Sequence, residues 1–164
     1  MTTLYVMCGA PGSGKSTWAH EFQKGRDIDY ISRDKIRLSI ITDEEHYFSH
    51  EDEVYDKFVD EIALGLQTSD VIADATHLSH GARLKLYSAL AARGMTHDKY
   101  QIIFVQMGTD VEECVRRDDL REGRQHVTRS VVRRMFYQNT HPTIDEFPNV
   151  KEVWIINGRN ILHQ

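Results

Sequence analysis

Five short stretches of the chain are almost continuously apolar: "LYVMC", "DYIS", "DVIADA", "YQIIFVQM" and "EVWII". Each is bounded by Gly, Asp or a polar cluster, which reads as a buried strand rather than a helix. Between them the apolar positions recur at helical spacing. Trp18, Ala19 and Phe22 share one face of a helix over about 15–24. A second helix over 33–41 starts where "DYIS" ends. Val54, Phe58, Ile62 and Leu66 fall four residues apart in a third, over about 50–66, forming one apolar stripe. Ser79 is placed to cap a fourth, which Gly94 stops after Ala92. A fifth covers about 110–120, and a sixth reaches Asn139 with Val132, Met135 and Phe136 on its inner side. Strands that alternate with helices and carry unbroken apolar runs predict a parallel sheet covered on both faces. The expectation is one α/β domain over residues 1–164, a three-layer sandwich around a five-stranded parallel sheet.

In such sheets ligands gather at the C-terminal ends of the strands, and three segments are placed there. The first is "GAPGSGKST", Gly9 to Thr17. Its spacing G-x-x-x-x-G-K-S is that of a phosphate-binding loop. Gly9, Gly12 and Gly14 allow the backbone to turn successive N–H groups toward an anion. Lys15 would reach the β- and γ-phosphates of ATP, and the Ser16 hydroxyl would sit on Mg2+. The helix that begins at Lys15 adds the positive end of its dipole. The residues expected to bind ATP are Gly12, Ser13, Gly14, Lys15, Ser16 and Thr17.

The second segment is "SRDKIR", Ser32 to Arg37. A carboxylate beside the phosphate loop could take the proton of an attacking hydroxyl, which makes Asp34 a general-base candidate. Asp in the first turn of a helix is also favoured by the dipole alone. Arg37, one turn on, is expected to project into the same cleft toward a phosphate or carboxylate of the acceptor. The third segment, "DATH", offers Asp74, Thr76 and His77. Asp74 could hold the water shell of magnesium or a group of the acceptor; Thr76 and His77 could bind acceptor oxygens, although for His77 alone a structural or exposed histidine is the commoner case. The fourth strand ends in Gln106 and Met107, without the acidic pair an ATPase motor would place there.

Composition narrows the reading further. The formal charge of −5 over 164 residues argues against a protein that coats nucleic acid through charge alone. The charges are segregated, with an acidic stretch from Asp43 to Glu61 and an arginine-rich one from Arg116 to Arg134. Arg117 and Arg121 are four apart, hence on one helical face, and Arg124 follows beside Gly123. Arginines on a short mobile lid over about 115–130 could fold over a triphosphate and stabilise charge in transfer. Cys8 and Cys114 read as buried thiols without metal-ligand spacing. With neither a basic leader nor a membrane-length apolar run, a cytoplasmic protein is expected.

Together these pieces resemble the P-loop kinases typified by the 5′-kinase domain of T-even phage polynucleotide kinase, over most of the chain from Leu4 to about Ile156. The carriers are "GAPGSGKSTWAHEF", "ISRDKIRLSI" and "VIADATHLSHGARL". The resemblance implies that Asp34 is the general base and that Arg37 contacts a 3′-phosphate of the acceptor. It also implies an acceptor-side role for Asp74, and phosphate contact by the lid arginines, Arg121 foremost. Magnesium is expected at Ser16 and Asp34. Two positions depart from the pattern: His77 stands where Asn is usual, and Asp74 lies one residue farther from Thr76. The acidic segment would repel a polyanion. The expected activity is ATP-dependent phosphorylation of a nucleic-acid 5′-hydroxyl. The rivals are a kinase of a small metabolite or of a modified base in DNA, and an ATP-binding regulatory switch.

Overall fold

The structure, a computed structural model, describes residues 1–123, 126–158 and 160–163. Its elements run β1 (Thr2–Cys8), α1 (Lys15–Gln23), β2 (Ile28–Ser32), α2 (Arg33–Ile40), α3 (Glu51–Gly65), β3 (Asp70–Asp74), α4 (His80–Ala92), β4 (Tyr100–Met107), α5 (Val111–Asp119), α6 (Arg129–Gln138), β5 (Val150–Asn157) and β6 (Asn160–His163). The sheet order is β2-β3-β1-β4-β5-β6, with every pair parallel except β5–β6. The alternation of helices and parallel strands is thus as the pattern predicts. The sixth strand is not. Gly158, with φ of 64°, opens a hairpin turn that lays Asn160–His163 antiparallel on β5. Four residues at a sheet edge carry too little periodicity to announce themselves.

Strand β1 shows how the two faces are filled. Leu4, Val6 and Cys8 enter one core with Phe58, Ile62 and Leu66 of the α3 side. Tyr5 and Met7 point the other way, where Ile72, Val105 and Ile156 meet Trp18, Ala19 and Phe22. A strand buried on both faces has no polar side to show, hence its unbroken apolar run. On the second face Trp18 stacks on Phe22 with ring centroids 4.8 Å apart, and Trp154 meets both edge-on. Ser32 caps α2, accepting from Lys35 N at 3.2 Å. Ser79 caps α4, accepting from Ala82 N at 3.1 Å. Both cysteines are buried and unbridged, and burial pushes the Cys8 thiol up to about 12. Among the described residues no helix is long and apolar enough to cross a membrane.

Candidate active site

The loop after β1 is shaped by glycine where nothing else fits. Gly12 has φ of 80°, and a Cβ there would lie 2.3 Å from the carbonyl oxygen of Cys114 on α5. Gly14 has φ of 93°, and its Cβ would lie 2.9 Å from a guanidinium nitrogen of Arg117. The loop is therefore clamped between β1 and α5. It is tied to β3 as well, because Gly9 N donates to Thr76 O at 2.9 Å. Ser13 is buried and its carbonyl accepts from the Thr109 hydroxyl at 2.6 Å; its own hydroxyl has no partner. Thr17 is exposed in the first turn of α1.

Lys15 lies along this loop, its ammonium donating to the carbonyls of Gly9 and Ala10 at 3.0 Å each. Burial pulls its pKa below the usual lysine value. The Asp74 carboxylate opposes that, Arg121 adds to it, and Asp34 opposes it again. Those three charges therefore converge on the lysine that would follow the γ-phosphate. Ser16 Oγ donates to Asp74 Oδ2 at 2.7 Å, and the Tyr30 phenol donates to the same oxygen. Burial, then the Asp74 charge, raises the Tyr30 phenol above its ordinary pKa.

The carboxylate that meets Ser16 is thus Asp74 and not Asp34. Asp34 was expected beside Ser16, whereas Asp74, read as holding either the water shell of magnesium or an acceptor group, is the carboxylate that Ser16 reaches. Adjacency explains it, since β3 lies directly beside β1 while β2 lies one strand farther out. A hydroxyl and a carboxylate are hard oxygen donors of the kind Mg2+ selects when it bridges phosphates. Backbone N–H groups in a cradle that a Cβ would fill suit the phosphates themselves. ATP and Mg2+ fit these residues, with Ser16 and Asp74 holding the ion directly or through its waters.

On the neighbouring strand, Asp34 sits in the first turn of α2 with its side chain 74% exposed. Its described bonds fall on one oxygen, Oδ1, which accepts from Arg37 Nη1 and from the Tyr47 hydroxyl, the latter at 3.0 Å. Arg37 is a second correction. It is buried, with 6% of its side chain exposed, and does not project freely into the cleft. Its Nε and Nη2 form a fork on Glu51, at 2.6 and 3.0 Å. Arg33 reaches the same carboxylate at 3.0 Å. Burial raises the Glu51 pKa, and the Arg37 and Arg33 charges outweigh it to hold the group below its ordinary value.

His77 takes the structural one of its two readings. It is buried, with φ of 42°, and its Nδ1 donates to the Met7 carbonyl at 2.7 Å. Burial pushes its pKa down to about 4, so at neutral pH it is an uncharged histidine bonded to β1. Thr76 contributes the backbone carbonyl already described.

The arginine segment divides. Arg117, on α5, donates to Glu113 at 2.9 Å and brings Nη1 to 3.5 Å from the Gly12 carbonyl. Arg116 and Arg117 together hold Glu113 down to about 2. Arg121 follows the helix, its backbone N–H bonded to Asp118 O at 2.9 Å. Arg124 lies outside the described residues. Sequence reasoning overlooked Asp118, which is fully buried. Its carboxylate accepts from the backbone of Val127 at 3.0 Å and of Thr128 at 3.1 Å, and His126 stands 3.2 Å away. It fastens the return of the arginine segment to the start of α6. An aspartate in the last turn of a helix, where the dipole disfavours it, was the available signal.

A family profile described as an AAA domain matches residues 4–142; the chain belongs to that family. No curated protein matches it significantly. Among solved structures, a chain of the Pnkp1/Rnl/Hen1 RNA repair complex superposes with a TM-score of 0.65 at 26% identity. The match covers 84% of this chain and 43% of that one, so this chain spans less than half of that protein's length. A sugar kinase from a Janibacter species superposes with a TM-score of 0.62 at 18% identity, over 94% of this chain and 86% of its own. A gluconokinase from Sinorhizobium meliloti gives 0.52 at 17%, over 93% and 82%. These two share the fold. The chain has the P-loop kinase fold.

Proposed function

We propose that this member of the AAA domain family is a kinase that transfers the γ-phosphate of ATP to the 5′-hydroxyl of a polynucleotide. The observation that carries the reading is the position of Asp34. It is an accessible carboxylate at the C-terminal end of β2, close enough to Lys15 to act on its charge. The similarity at 26% identity to a chain of an RNA repair complex supports a nucleic-acid acceptor.

The chemistry follows from the residues. The acceptor hydroxyl gives its proton to Asp34, whose Oδ1 is engaged by Arg37 and Tyr47. The hydroxyl oxygen forms the new bond to the γ-phosphorus, and the bond to the bridging oxygen breaks, its electron pair leaving on ADP. Magnesium, when bound, neutralises charge on the β- and γ-oxygens. Lys15 and the loop N–H groups hold those oxygens in place. Arg121 would stabilise charge that grows during transfer.

One observation favours a second reading, a small neutral acceptor such as a sugar: the fork of Arg37 on Glu51 occupies the guanidinium that was expected to meet a phosphate. Transfer of labelled γ-phosphate from ATP to 5′-hydroxyl DNA and RNA oligonucleotides, nucleosides and sugars decides between them. The oligonucleotide end should be labelled. Labelling of a sugar alone would establish the second reading, and ATP binding with no acceptor labelled would leave a regulatory switch.

A further inference from the structure

The loop between α2 and α3 carries two aromatic rings beside the general base. Tyr47 is tied in by its hydroxyl bond to Asp34, and the Arg37 guanidinium lies 4.7 Å from its ring centroid. Phe48 meets Tyr47 edge-on at 4.9 Å and has the same guanidinium 5.3 Å from its own centroid. Phe48 is nevertheless 58% exposed. One large apolar ring is thus kept in water, fixed by two contacts that each lead to Asp34.

Its surroundings determine what it suits. Around it the cations are matched by anions: Arg33 and Arg37 share Glu51, and Arg37 also bonds Asp34. The loop adds Asp43, Glu44 and Glu45. With Arg33 and Arg37 both engaged by carboxylates, a neutral contact suits an acceptor approaching here. A flat ring offers that to a nucleobase, whichever base it is. Resting on the polynucleotide reading, we propose that Phe48 is a stacking platform for the terminal nucleobase of the acceptor strand, placing its 5′-hydroxyl at Asp34.

The test is steady-state transfer to 5′-hydroxyl oligonucleotides that end either in a normal nucleotide or in an abasic one. The wild type should favour the base-bearing end through KM. Phe48→Ala should raise KM for that end by about five- to hundredfold, the range a stacked base implies, with kcat and the Kd for ATP little changed. It should also treat both ends alike, while Phe48→Trp restores the preference. Because Phe48 is exposed, unchanged ATP binding in Phe48→Ala shows that the fold is intact. Equal use of both ends by the wild type would overturn the platform while leaving a polynucleotide kinase. So would a Phe48→Ala enzyme that keeps the preference. Labelling of sugars and of no oligonucleotide would instead overturn the reading on which the platform rests.

Discussion

The phosphate loop and the α2–α3 segment border the same end of the sheet but are made of different material. Around ATP the work falls to backbone: glycines at φ of 80° and 93°, a lysine on its own loop's carbonyls, a strand fixed to the next by a main-chain bond. On the acceptor side it falls to side chains that reach across the sequence. Arg37 meets Glu51 fourteen residues away, and Tyr47 meets Asp34 thirteen away. Backbone geometry leaves its mark in sequence as glycine spacing. Side-chain pairing leaves none, because a carboxylate chooses among several cations only once the chain is folded.

That contrast should appear most sharply in ATP binding. Gly12→Ala would press a methyl against the Cys114 carbonyl at 2.3 Å, at a φ that side chains seldom adopt. Backbone cannot step aside as a side chain can, so ATP binding should fall below detection by calorimetry. Lys15→Ala should abolish transfer by removing the charge that follows the γ-phosphate. On the acceptor side, Asp34→Asn should leave the Kd for ATP unchanged and lower kcat by about 10²–10⁴-fold, the usual contribution of a general base. A near-normal kcat would remove Asp34 from that role. Arg121→Ala should lower kcat more than it weakens ATP affinity, since its contact matters most as charge transfers.

The same division explains how much could be read in advance. The five parallel strands and the α3 stripe were legible because burial on both faces, or on one helical face, forces a period onto the sequence. Ser79 was legible as a cap because capping is local. Strand β6 was not, being four residues whose only sanction is pairing with β5. The partners of Arg37 and Ser16 were not legible either. Ser16 meets Asp74 because β3 neighbours β1, a fact of strand order that nothing near Ser16 records. His77 could be read either as an acceptor ligand or as a structural histidine, and its surroundings, the Met7 carbonyl and the Phe58 ring, make it core.

His77 gives the comparison a pH axis. Its folded pKa, about 4, lies below the ordinary 6.5. The unfolded chain therefore binds the extra proton first as pH falls. The contribution of neutral His77 is complete above about pH 6.5 and is lost progressively as pH drops toward 4. The full difference corresponds to about 3 kcal/mol. Urea unfolding at pH 7 and pH 4.5 should show a steeper loss of stability in the wild type than in His77→Asn. Equal slopes would mean that the ring is already solvated in the native state. Activity at neutral pH should follow the fold and nothing else, because no acceptor atom is expected to touch His77.

The smallest effect bears most directly on the acceptor side. Glu51→Gln removes one negative charge from a cluster in which Arg33, Arg37, Asp34 and Glu51 balance. The amide can still accept from one guanidinium but cannot neutralise two. Arg37 should then become available to a phosphate, a charge-assisted contact for which its planar fork is well suited. The wild type should gain little from a 3′-phosphate on the terminal nucleotide of the acceptor. In Glu51→Gln that phosphate should lower KM by about tenfold, roughly 1.4 kcal/mol, and the gain should shrink as salt rises. Phe48 stacking, being neutral, should stay the same across the same salt series. If the wild type already shows a strong, salt-sensitive preference for the 3′-phosphate, then Glu51 yields Arg37 to the substrate during binding. The acceptor side would then be an anion site held shut by its own carboxylate, and the contrast with the phosphate loop would be one of timing rather than of charge.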